Sequence, residues 1–87
     1  MVQKFSKRDN AVMEVGLSVA NFLTDELQAR PEIDLPMLLA SQKVRKGIYE
    51  RVHWLETSYG CKVIIHAERD PDDRRVFVNL EEVEVKP

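Results

Sequence analysis

Cysteine is nearly absent from these 87 residues: Cys61 stands alone, so no internal disulfide can staple the fold. Nor does any stretch approach the roughly 20 apolar residues that span a bilayer, and the N-terminus carries no apolar run. These absences give the expectation of a cytoplasmic protein without a membrane partner. There are only three glycines, Gly16, Gly47 and Gly60, too scattered to build a phosphate-cradling loop. His53 and His66 have no cysteine or carboxylate at zinc-ligand spacing, so no metal site is expected. No nucleophile, base and orienting group form a visible constellation, and the expectation is that the chain is not an enzyme and uses no cofactor. Cys61 falls just past a helix end, where the dipole disfavours a thiolate, and reads as a small core residue.

Positive charge is not in excess either, since 13 Lys and Arg face 15 Asp and Glu for a net charge of −2. A total of that sign does not advertise a nucleic-acid ligand. Its distribution is uneven, however. Between Ser41 and Leu55 stand Lys43, Arg45, Lys46 and Arg51 against one acid, Glu50. Asp25, Glu26, Glu32 and Asp34 precede this stretch, and Glu81, Glu82 and Glu84 follow it. A chain acidic at its ends and basic in its middle can present a positive face. Residues 1–87 are short enough for one small domain with one modest core.

The apolar period supplies the elements. Lys4, Lys7 and Arg8 surround Phe5 in an N-terminal arm over residues 1–8. Asp9 or Asn10 can cap a first helix that runs to about Ala29 and stops ahead of Pro31. Its many apolar residues, among them Val12, Met13, Val15, Leu17, Val19, Phe22, Leu23 and Leu27, suit a core, a dimer interface or both. Gly16 and Ala20 could let another helix approach. Asp34 caps a short second helix with Pro36 in its first turn, pointed inward by Leu35, Leu38 and Leu39. Val44, Ile48, Val52, Leu55 and Tyr59 then recur at helical spacing, and Gly60 closes that helix. Between the two, Ser41 can cap a new helix from Gln42, but one continuous helix from Asp34 to Tyr59 fits the pattern as well.

From Cys61 the period becomes two. Cys61, Val63, Ile65 and Ala67 alternate with Lys62, Ile64, His66 and Glu68. After the polar run Arg69 to Arg74, Val76, Val78 and Leu80 alternate with Arg75, Phe77 and Asn79. A hairpin and tail over 61–85 results. Val83 and Val85 have the opposite parity, which predicts a bulge, bend or end near Glu81-Glu82. Asp70, Asp72 and Asp73 read as a solvated turn.

The run Asp70-Pro71-Asp72-Asp73-Arg74-Arg75-Val76-Phe77-Val78-Asn79-Leu80 resembles the wing of the multiple-antibiotic-resistance repressor (MarR) family. In that pattern an Asp, any residue and an Arg are followed by Val-x-Leu, here Asp72, Arg74, Val78 and Leu80. Ile48, Val52 and Leu55-Glu56 sit where that family's recognition helix has its apolar residues. The resemblance implies an α+β fold, a small winged helix-turn-helix of three helices (residues 9–59) followed by a β-hairpin wing, and a transcriptional regulator that binds duplex DNA. It also implies that Asp72 orients Arg74.

On that reading Gln42, Lys43, Arg45 and Lys46 enter the major groove, where Arg or Lys donates to guanine and Gln pairs with adenine. Tyr49 and Arg51 meet phosphates. Arg69, Arg74 and Arg75 carry the wing to the backbone or minor groove. Trp54 belongs to the core or an interface. A homodimer is expected, with helix 1 and the C-terminal strand as its interface. The competing expectation is a protein-interaction or regulatory module that docks through helix 1 and the hairpin. A break at Ser41 with a projecting hairpin favours DNA.

Overall fold

The computed structural model describes residues 7–83. Three helices, α1 (Lys7–Ala29), α2 (Leu35–Ala40) and α3 (Gln42–Tyr59), precede an antiparallel hairpin of β1 (Lys62–Arg69) and β2 (Val76–Val83). The fold is therefore small and α+β. Helix α1 already includes Lys7 and Arg8, so the expected arm is shortened, and Asp9 supplies an acid to the first turn instead of a cap. Residues 1–6, with Lys4 and Phe5, and the tail residues Glu84 and Val85 lie outside the described residues.

Local chemistry explains the boundaries. Helix α1 ends at Ala29, ahead of Pro31, whose ring disfavours helical geometry in the preceding residue. Asp34 caps α2, its carboxylate accepting the Leu35 N–H at 2.9 Å, with Pro36 inside the first turn. Ser41 has extended backbone (ψ 129), and this one residue divides residues 34–59 into two helices. Its hydroxyl makes no capping bond. At the far end Gly60 takes φ 62, the left-handed conformation in which an L side chain is strained. Cys61 then turns back beneath the last turn of α3, 5% exposed.

The core is assembled from one stripe of each helix. Val15, Val19, Leu23 and Leu27 recur every four residues on α1, and Leu35 and Leu38 come from α2. Val44, Ile48, Val52 and Leu55 face them from α3, and Val76 and Leu80 from β2. Helix α1 packs chiefly against β2 and α3, whereas α3 touches β1 only sparsely. Gly16 faces Leu80 of β2, not another helix.

The hairpin register is unbroken from Arg69↔Val76 to Lys62↔Val83. Of the bulge, bend or end expected near Glu81-Glu82, no bulge breaks the register, and β2 ends at Val83, the last described residue. Val83 sits on the outer face, 38% exposed, with Ile64 and Phe77. The inner parity at that end goes to Glu82, which pairs with Arg8 of α1.

Thr24 fastens β2 to α1. Its hydroxyl accepts the Val76 N–H at 2.9 Å and stands 3.4 Å from the Val76 carbonyl as a donor. Val76 is 2% exposed, so water cannot replace that hydroxyl. Thr24→Val, which keeps the shape and removes the oxygen, should destabilise the fold by about 1.5 kcal/mol. Urea unfolding with an unchanged slope will measure it.

Candidate nucleic-acid interface

Helix α3 turns its apolar stripe inward, and the helical period then leaves Gln42, Lys43, Arg45, Lys46, Tyr49, Glu50, His53 and Trp54 exposed. In its first two turns, Gln42, Lys43, Arg45 and Lys46 make no side-chain hydrogen bond or ion pair among the described residues. Three cations therefore sit together beside the positive end of the helix dipole. The first acid on this helix is Glu50.

The other expected contacts are arranged differently. Tyr49 is 60% exposed and stacks on His53 with ring centroids 5.2 Å apart. Arg51 points back toward α1: Nε donates to the Ser18 hydroxyl at 3.2 Å, Nη1 to the Gly47 carbonyl at 2.9 Å, and the guanidinium covers the Phe22 ring at 4.3 Å. Arg51 thus directs its donors into the fold instead of projecting from it. Arg69 donates to the Asp34 carboxylate at 2.9 Å and so ties the hairpin turn to the start of α2.

Arg74 departs furthest from expectation. Its guanidinium donates to the carbonyls of Leu27 (3.1 and 3.0 Å), Arg30 (3.0 Å) and Ile33. These carbonyls belong to the end of α1 and the loop that follows, where Leu27 and Arg30 each already accept one backbone N–H, from Arg30 at 3.3 Å and from Ile33 at 3.2 Å, and the guanidinium adds a further donor. Arg74 is thus a brace inside the fold. Asp72 does not orient it; the Asp72 N–H donates to the Asp70 carboxylate at 2.9 Å, which shapes the turn. The hairpin turn accordingly lies against the α1–α2 loop. Arg75 alone among the turn arginines has an exposed side chain free of such partners among the described residues. Trp54 is 54% exposed, edge-on to Tyr59, and belongs to the surface rather than to the core.

A second feature has no counterpart in the sequence reading. Because α3 and β1 diverge, an open groove of about 650 Å³ runs between them, floored by Leu39, Ile48, Val52, Ile65 and Ala67. Arg45 and Tyr49 stand at its rim. Periodicity marks these apolar residues as inward-facing but says nothing of how far two inward faces stand apart.

Comparison with protein-family models, with curated proteins and with solved structures gave no match to this chain. No helix among the described residues is long and apolar enough to cross a membrane.

Proposed function

We propose that this chain is a small winged helix-turn-helix protein that binds duplex DNA in the regulation of transcription, with the first turns of α3 as its reading surface. The carrying observation is the exposed group Gln42, Lys43, Arg45 and Lys46, which spends none of its charge inside the described fold. The one-residue break at Ser41 supports it, because α2 and α3 are then separate helices and α3 presents its start to solvent. The hairpin contributes Arg75 at most, since Arg69 and Arg74 are engaged internally.

Fluorescence anisotropy against a mixed-sequence duplex tests this directly. If Lys43, Arg45 and Lys46 each meet one phosphate, log K should fall with log salt at a slope of about −2.7 per chain. Lys43→Ala with Lys46→Ala should weaken binding roughly uniformly across sequences and reduce that slope by about 1.8. Absence of binding at low salt would sink the reading.

One observation favours a second reading, a protein-interaction module. Met13 and Leu17 of α1 are 54% and 63% exposed beside half-buried Val12 and Val78. Such a joined apolar patch suits a protein partner, and it takes the leading role if the duplex titration is flat.

A further inference from the structure

The two-stranded sheet has two edges, and among the described residues α1 lies along one of them, at Val76 and Val78. In an antiparallel ladder, alternate residues turn their N–H and C=O toward the neighbouring strand. The Asp70 N–H donates to the Arg75 carbonyl, which fixes the phase. Val76, Val78, Leu80 and Glu82 therefore turn away from β1, and α1 occupies that side. Thr24 bonds Val76, and a Cβ placed on Gly16 would lie 3.9 Å from the Val78 carbonyl. Helix α1 therefore already lies along the first residues of β2.

On β1 the outward residues are Val63, Ile65, Ala67 and Arg69. The Val63 N–H is held by the Glu56 carboxylate at 3.0 Å. Ile65 and Ala67 present main-chain groups with no partner among the described residues, and they open on the apolar groove beside α3. This strand has no proline and no bulge to blunt its edge.

We propose that this edge is a self-association surface, on which β1 of a second copy pairs antiparallel with β1, Ile65 opposite Ile65. The charge pattern selects a second copy. Lys62 and Glu68 lie three residues either side of Ile65, on the exposed outer face, and neither has an ion-pair partner among the described residues. Antiparallel self-pairing about Ile65 sets Lys62 of each copy across from Glu68 of the other, twice per dimer. On the inner face the same register places Val63 opposite Ala67 and feeds apolar side chains toward Ile48 and Val52. Two hairpins become one four-stranded sheet. The inference does not rest on DNA binding, because it is argued from the open edge and the charges of β1 alone, although Arg45 stands at the rim of the same groove.

Sedimentation equilibrium of the whole chain over a wide concentration range should show a monomer–dimer equilibrium. Lys62→Glu and Glu68→Lys should each weaken dimerisation about tenfold, since each converts two opposed pairs into like-charged ones. Combining them should restore wild-type affinity to within about twofold. Within one chain the two positions lie roughly 20 Å apart along an extended strand, so a merely structural role would show no rescue. Ala67→Pro removes an edge N–H but no bond to β2, and should give a folded monomer by circular dichroism. Single charge reversals without effect, or a double variant no better than the singles, would overturn the proposal. So would a monomer at every concentration, which would leave the edge to an extended peptide of another protein.

Discussion

Arg74→Ala should lower the melting temperature by about 15 °C, a loss of about 3 kcal/mol in a domain of this size. The guanidinium serves the carbonyls of Leu27, Arg30 and Ile33 at once. Leu27 is itself fully buried, so without the arginine its carbonyl keeps only the 3.3 Å bond from the Arg30 N–H and loses its charged donor. A cation at a helix C-terminus is favoured by the dipole as well, and here it is delivered by a residue 47 positions along the chain. Lysine should restore part of the loss, because Nη2 alone meets all three carbonyls and only the Nε bond to Leu27 needs a second nitrogen. Thermal unfolding followed by circular dichroism decides the matter, with Arg75→Ala as the control expected to melt within about 3 °C of wild type, as exposed substitutions do. An Arg74→Ala protein as stable as the parent would return this side chain to the candidate DNA contacts.

That result bears on what could be read from residues alone. Most element ends were legible because they rest on short-range chemistry: Pro31 after α1, Asp34 before α2, and Gly60 after α3. The break at Ser41 was not, since its hydroxyl makes no capping bond and one continuous helix from Asp34 to Tyr59 fits the same apolar pattern. The hairpin followed from a period of two on both sides of a polar turn. Burial parity was legible too, since Val44, Ile48, Val52 and Leu55 are all buried. The fate of the arginines was not. Arg51, Arg69, Arg74 and Arg75 look alike in sequence, yet three of them find partners 33 to 47 residues away and one faces solvent. Nothing local distinguishes them. A long side chain with five donors is drawn to whichever carbonyls or rings the packed fold brings within reach, and that depends on where α1 ends relative to the hairpin turn. The same limit hid the groove. Alternation told that Ile65 and Ala67 face inward, but the separation of β1 from α3 is a property of the packed elements and not of either segment's own pattern.

Gly47 supplies a test in which two magnitudes oppose one another. In the middle of a helix, Gly→Ala ordinarily stabilises by about 1 kcal/mol through backbone entropy. At this position a Cβ would lie 2.6 Å from Cζ and 2.8 Å from Cε2 of Phe22, well inside van der Waals contact. The ring has little freedom to retreat, because Arg51 covers it and is itself anchored on Ser18 and on the Gly47 carbonyl. Overpacking of this kind costs about 3 kcal/mol where neighbours are pinned, so Gly47→Ala should destabilise the chain by about 2 kcal/mol net, against its helix propensity. The sign should reverse once the obstruction is removed. In a Phe22→Ala background the methyl group meets only Arg51 Nη1, at an ordinary 3.5 Å contact, and the same substitution should stabilise by about 1 kcal/mol. Urea denaturation of the four proteins in this cycle measures a coupling of about 3 kcal/mol between Phe22 and Gly47. Additive effects would mean that the ring moves aside at little cost, and that α1 and α3 are not held at their crossing by this glycine.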